Sequence, residues 1–501
     1  MSSDLKRQLK KGGTWLLVSN LVMIGSQLLS VALLARLLHP ADFGLQAIAV
    51  LVLEILAVFT YPVINKAIIL RKETPPGFLA SATIFSIVLS LAGAAILFFS
   101  SPLFALIFPN AHIGFLIRCV AAIFLVRGCY QPYQSIFEKE LRFKEIANLN
   151  LAAYLIGGFL VPVILALLGY GFKSLILGLL VSELVMLFYF PVRSKLYFTG
   201  FSAAFVREII TDGRSILLQN FSNKLATNGD YLVISNFLGP VALGLYSQAY
   251  KIMKMPTTII GNVINNMSFA GLSKISGDTE KLHRAFVYSS FVLAFFALPV
   301  SVVALKYSRE IILLLLGPQW LDAAASLRIL AFGIFLRMSY KVPGTILKVR
   351  QRFGLVARLQ TLYAICVIGF SILLAGFSIE GVAFGTLAAL LLQYAQLTYY
   401  VHSDLKMPFA AFFRAIATPA LVSILFYGLL SAAGFLIHSA GPVHAITASV
   451  LEVIIATAIM TALIIWKGKK LLGPSYSWWV EEIAGRKASG KRKALALSGS
   501  A

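Results

Sequence analysis

Apolar residues along this 501-residue chain come in runs of about 20, each long enough to cross ~30 Å of hydrocarbon as a helix. Inside lipid no water can pair a free backbone N–H or C=O. Only helices or a closed barrel meet that demand. Barrel strands alternate apolar and polar residues in pieces of about ten, and these runs are continuous. Helices follow, and with them an all-α polytopic membrane protein. Charged residues make up 13% of the chain, against about 25% in soluble domains. Fourteen spans are expected: 13–36, 42–65, 78–99, 112–134, 147–168, 172–191, 214–237, 241–268, 286–305, 323–346, 356–376, 380–401, 415–436 and 444–466. The first follows Lys6, Arg7, Lys10 and Lys11. Its apolar stretch is too long for a cleaved signal peptide, so it is expected to be retained.

Lys and Arg favour the cytoplasmic side. With the N-terminus inside, thirty of them fall in inside segments and four in outside loops (Arg36, Lys173, Lys306 and Arg309). Both termini are therefore expected in the cytoplasm. The same asymmetry accounts for most of the +23 net charge without nucleic acid. The basic tail at 467–501 reads as a cytoplasmic anchor facing anionic lipid.

The chain also repeats itself. Leu38, Pro40, Gly44, Leu45 and Ala49 recur 200 residues later as Leu238, Pro240, Gly244, Leu245 and Ala249. Asn20 recurs as Asn220. Further on the offset is 210: Arg118, Arg127, Tyr130, Arg142 and Phe143 match Arg328, Arg337, Tyr340, Arg352 and Phe353. Spans 1–6 and 7–12 read as two copies of one bundle. An even number of spans separates them, so both cross the bilayer in the same sense. Transporters built this way hold substrate between the lobes. The expected division is an N-terminal lobe at 1–205, its repeat at 206–405, an extra helix pair at 406–466 and the tail. The Pro40 and Pro240 motifs read as turns that end one helix and let the next start closely packed.

Nine cations remain within the spans: Lys66, Arg118, Arg127, Lys224, Lys251, Lys254, Arg328, Arg337 and Lys341. Four acids accompany them: Glu54, Glu183, Asp230 and Glu452. Each charge costs roughly 2.5–3.5 kcal/mol at mid-helix. Lys66, Lys341, Arg118 and Arg328 lie near span ends and can snorkel. Lys224, Lys251, Lys254, Arg127 and Arg337 are deeper. Asn220, Lys224 and Thr227 share one face of span 7, and Lys254, Thr258 and Asn262 share one face of span 8. Such stripes line either water or a neighbouring helix. Glu54 and Lys254 occupy equivalent positions in the two copies, so a pair across a central cleft is one expectation. Glu54 and Asp230 are the candidates for coupling or gating.

No phosphate loop of the G-x-x-x-x-G-K-[ST] type occurs, so ATP hydrolysis is not expected. The three cysteines and six histidines show no ligand spacing. No catalytic residue, metal or cofactor is expected.

The stretches "LARLLHPADFGLQAIAV", "FLGPVALGLYSQAYKIMKMP" and "LLGPQWLDAAASLRIL" resemble the polysaccharide transport family, the flippases of O-antigen and exopolysaccharide repeat units. That family belongs to the multidrug/oligosaccharidyl-lipid/polysaccharide flippase superfamily. The resemblance implies a two-lobe bundle of the bacterial inner membrane, opening alternately to each side. It implies a polyprenyl-pyrophosphate-linked glycan as substrate, and a cavity lined by spans 1, 2, 7 and 8. Asn20, on span 1, joins the candidate set on that ground. Membrane lipids, a polysaccharide polymerase and a chain-length regulator are the implied partners. Two other readings stay open on the residues alone. One is a cation-coupled exporter of drugs or metabolites, against which the excess of buried bases speaks. The other is a membrane enzyme acting on polyprenyl-linked sugars, against which the small outer loops speak.

Overall fold

The computed structural model describes residues 19, 22–71, 75, 77–107, 110–194, 200–376, 378–439 and 445–472. Asn20 and the tail beyond residue 472 lie outside the described residues, as does the side chain of Asn262. Among the described residues the fold is helical, with no strand. The helices are α1 (Val22–Leu37), α2 (Pro40–Leu70), α3 (Phe78–Ile107), α4 (Ile113–Lys139), α5 (Phe143–Leu167), α6 (Phe172–Ser194) and α7 (Ala203–Phe237). They continue as α8 (Gly239–Lys274), α9 (Thr279–Lys306), α10 (Ala323–Val349), α11 (Phe353–Ala375), α12 (Ile379–Leu405), α13 (Phe409–Ser439) and α14 (Ala445–Leu472). A short helix, Ser308–Leu315, follows α9.

Eleven of these are long and apolar enough to cross a membrane. Helices α1, α7 and α8 are outside that set. α1 is described over a short stretch, whereas α7 and α8 carry Lys224, Asp230, Lys251 and Lys254. The outward faces are oily. Phe99 is 79% exposed, Leu106 81% and Phe435 75%, as expected where the solvent is lipid rather than water. Small polar residues fill the inside instead, among them Ser81, Ser86, Ser90 and Ser101. Ser86 Oγ donates to Gly128 O at 2.7 Å, so α3 and α4 meet through a satisfied hydroxyl. In α5 a widened turn, Tyr154–Leu160, precedes Pro162. Proline lacks an N–H and crowds the carbonyl one turn back, and the wide turn absorbs both effects.

The chain divides into two compact units. One comprises Met1–Met255, Ile311–Leu330 and Ala357–Gln393. The other comprises Pro256–Glu310, Ala331–Val356 and Tyr394–Ala501.

In the first unit the repeated motifs pack on each other. A Cβ placed on Gly44 would sit 1.8 Å from Pro240 O, and one on Gly244 would sit 1.8 Å from Pro40 O. The two helix starts therefore cross backbone to backbone, which only glycine permits. Matching positions of the chain, in either unit, also make matching hydrogen bonds. Leu38 N donates to Leu34 O and Leu238 N to Ile234 O, each at 2.9 Å. At the other offset, Leu141 (φ 57°) and Gln351 (φ 62°) adopt the same left-handed turn. Arg142 N then donates to Phe137 O and Arg352 N to Leu347 O.

The "LLGPQW" stretch clasps the end of α1. Trp320 Nε1 donates to Ala35 O at 2.9 Å and Gln319 Nε2 to Leu38 O at 3.1 Å. The Trp320 ring stands edge-on to Phe43 at 5.2 Å. Orphan carbonyls at a helix C-terminus thus find donors from a distant segment.

In the second unit Glu452 of α14 is 4% exposed. It accepts from Lys306 Nζ at 3.1 Å and from Tyr307 Oη, tying α14 to the end of α9. Asp404 accepts from Arg350 Nε at 2.9 Å and Arg352 Nε at 3.0 Å.

Candidate cation-lined cavity

A cavity of about 610 Å³ lies in the first unit among α2, α6, α7 and α8. Helical spacing explains its lining. Gln46, Val50 and Glu54 recur every four residues on α2. Lys224, Asn228 and Tyr231 recur every three or four on α7, and Ser247, Lys251 and Lys254 on α8. Each set forms one stripe along its helix. Three lysines and one carboxylate face the space, so its walls are net cationic.

Behind the cavity the charges form a chain. Lys224 Nζ pairs with Glu54 Oε2. Glu54 Oε1 lies 3.8 Å from Arg127 Nη1. Arg127 donates through Nε to Glu183 Oε1 at 3.0 Å, and Tyr130 Oη donates to Glu183 Oε2 at 2.5 Å. The exposure falls along this chain, from 34% for the Lys224 side chain to 19% for Arg127 and 10% for Glu183. Lys224 is thus the wet end and Glu183 the dry anchor.

Asp230 faces another way. It is 1% exposed and accepts from Tyr246 Oη at 2.7 Å. Thr386 Oγ1 stands 3.5 Å from the same carboxylate oxygen. Nearby, α11 and α12 brace α7: Gln360 Nε2 donates to Asn223 Oδ1 at 3.2 Å, and Gln393 Nε2 to Gln360 Oε1 at 3.4 Å.

Of the residues singled out from sequence, Lys224, Lys251, Lys254 and Glu54 come together in this cavity. Arg127 stands behind it, through Glu54. Asn220 lies on α7 one turn before Lys224, outside the lining, and Asp230 is buried under Tyr246. Arg337 belongs to the second unit, near the middle of α10. The acid that sequence equivalence set against Lys254 forms its ion pairs with Lys224 and Arg127. Gln46, Asn228, Tyr231 and Ser247 were not foreseen. The signal for Asn228 and Tyr231 was present, since both continue the Lys224 stripe. Gln46 stands alone among apolar neighbours, and only the partner helix reveals which face of α2 is wet.

A family model described as polysaccharide biosynthesis protein matches residues 33–325. The chain is 26% identical over 353 residues to the lipopolysaccharide biosynthesis protein WzxC of Escherichia coli (strain K12), covering 70% of this chain and 71% of that protein. It is 22% identical over 360 residues to the teichuronic acid biosynthesis protein TuaB of Bacillus subtilis (strain 168), covering 70% and 73%. A solved structure titled lipid II flippase MurJ, inward closed conformation, superposes with a TM-score of 0.75 at 14% identity, over 91% of this chain and 99% of that one. This last likeness shows the fold, that of a multi-pass membrane protein.

Proposed function

Because the chain belongs to the polysaccharide biosynthesis protein family, we propose that it flips a polyprenyl-pyrophosphate-linked oligosaccharide repeat unit across the bacterial inner membrane, for export of a surface polysaccharide. The observation that carries this reading is the cavity with Lys224, Lys251 and Lys254 on its walls. A diphosphate head group brings about two negative charges through a region poor in water. Each ammonium offers three donors and a full charge in place of lost hydration. The sugar follows the head group, and the polyprenyl tail stays in lipid.

Movement is by alternating access of two lobes, 1–205 and 206–405, each a six-helix repeat, with both termini cytoplasmic. Helices α1, α7 and α8 complete a set of fourteen spans. Two of these three, α7 and α8, help line the cavity, and a polar stripe is what lowers their apolarity. Release on the far side requires weak binding, and flexible lysines suit that better than a rigid guanidinium clamp.

The test is a Lys224→Gln, Lys254→Gln double variant in a strain that depends on this gene for its polysaccharide. Surface polysaccharide should disappear and lipid-linked repeat units should accumulate on the inner leaflet, while the protein stays in the membrane at normal level. Normal export by the double variant would sink the reading.

A further inference from the structure

Among the described residues that line the cavity, the one carboxylate needs a reason. Glu54 places a negative charge on the wall of a space that otherwise attracts anions, and it occupies Lys224, one of the three cations. We propose that Glu54 is a resident counter-anion, displaced from Lys224 by the phosphate of an incoming ligand and held by Arg127 while the ligand is bound. This inference rests on the cation-cavity reading above and adds to it a residue that sets affinity and release.

Three observations support the exchange. First, the Lys224–Glu54 pair opens on the cavity, with side-chain exposures of 34% and 30%. Ion pairs this open contribute little, so the contact parts easily. Second, Glu54 is not stranded when Lys224 leaves. Its other oxygen already lies 3.8 Å from Arg127 Nη1, within the reach of a small side-chain rotation. Third, Arg127 cannot follow the ligand. Glu183 fixes it through Nε at 3.0 Å, and Tyr130 fixes Glu183 at 2.5 Å. One end of the chain is therefore free to switch and the other is pinned. Even a part-buried carboxylate that lost its only cation would carry a desolvation penalty; here a second cation stands behind it.

The consequence is a cavity that binds anions less tightly than its lysines allow. With Glu54 on Lys224, that lysine is withheld from an arriving ligand. Lys224 joins when Glu54 yields, and the return of Glu54 to Lys224 helps eject the phosphate. An internal competitor of this kind lowers affinity, which suits a carrier that must let go.

The experiment measures binding of inorganic pyrophosphate to the purified full chain in nanodiscs by calorimetry. Glu54→Gln keeps length and polarity and removes the competitor. It should bind pyrophosphate about tenfold tighter, the combined effect of one wet ion pair and one nearby like charge. Lys224→Gln should bind more weakly than wild type. The double variant should gain much less over Lys224→Gln than Glu54→Gln gains over wild type, because most of the effect of Glu54 runs through Lys224. Should Glu54→Gln not survive purification, Glu54→Asp, which withdraws the carboxylate by one methylene, must still bind tighter than wild type. Competition arms with a polyprenyl diphosphate and with phosphatidylglycerol separate a carrier-lipid diphosphate from an ordinary phospholipid head group. Unchanged or weaker binding by Glu54→Gln, or a full gain that persists without Lys224, overturns the inference while leaving the cavity reading standing. No pyrophosphate binding by any form overturns both.

Discussion

At the residue scale, the deepest charges are kept by partners rather than by depth. Arg127 is paired to Glu183, and Glu183 takes a further bond from Tyr130. Removing one member of a buried pair costs about 3–5 kcal/mol. Glu183→Ala should therefore lower the thermal midpoint in detergent and the amount of protein in the membrane. Adding Arg127→Met should restore much of the loss, because no charge is then left unpaired. A double variant as unstable as Glu183→Ala would show that the two residues act separately. Tyr130→Phe, which removes one donor, should cost about 1 kcal/mol. At the chain surface, Asp278 caps α9, accepting from Lys281 N at 3.0 Å. The hydrogen bonds from the Lys281 side chain and backbone hold its carboxyl below the usual range. Its contribution to holding the first turn of α9 is present above the ordinary carboxylate pKa and is lost as pH falls through the lowered one. Hydrogen exchange at the start of α9 should quicken in that acid window, and Asp278→Asn should flatten the change. Much of this scale was legible in sequence. Arg127, Glu183 and Glu54 are visible as charges in apolar runs. Their pairing was not, since Glu54, Arg127 and Glu183 sit on three helices whose mutual rotation no periodicity records.

At the element scale, the repeated Pro and Gly positions do more than end helices. They let α2 and α8 cross at Gly44 and Gly244, each against the carbonyl of the other's proline. A methyl at either site overlaps backbone, which has little room to yield. Gly44→Ala and Gly244→Ala should each cost about 1–3 kcal/mol by overpacking, and by similar amounts because the two contacts mirror each other. Thermal unfolding in detergent reads this out. A neutral result at either glycine would mean that the close crossing is not held in the protein. The sequence displayed both motifs but not their meeting, because two turns that match by repetition need not touch. The clasp from Gln319 and Trp320 onto Ala35 O and Leu38 O left still less trace. A side-chain donor reaching across nearly 300 positions has no period, and its acceptors are backbone atoms that every residue carries. Trp320→Phe keeps the ring against Phe43 and removes the donor, so it should cost about 1 kcal/mol. Trp320→Ala also empties a buried site and should cost more, about 3–5 kcal/mol.

At the scale of the whole molecule, hydropathy picks out the apolar helices well and the cavity-lining α7 and α8 poorly. Eleven helices pass on length and apolarity, and α7 and α8, which carry the cavity lysines, do not. A helix that lines a polar cavity gives up part of its apolar surface, so the same lysines and asparagines that line the cavity keep α7 and α8 out of a hydropathy count. Their proposed membrane placement rests instead on the repeat and on the charge asymmetry expected of the loops. That asymmetry is open to a direct test. In the proposed fourteen-span arrangement thirty Lys and Arg fall on one side and four on the other, and the side facing the cytoplasm favours such an excess. In a background without Cys119, Cys129 and Cys366, a cysteine at Ser378, between α11 and α12, should react with an impermeant thiol reagent added to intact cells. Cysteines at Ser276, between α8 and α9, and at Ser403, at the end of α12, should react only after the membrane is opened. These positions bracket α9 through α12, an even number of crossings from Ser276 to Ser403 and one crossing from Ser403 to Ser378. The pattern therefore tests orientation and the parity of spans together. Labelling of Ser276 and Ser403 from outside, with Ser378 protected, would invert the molecule. Labelling of Ser276 alone from outside would break the parity, and with it the equivalence of the two repeats.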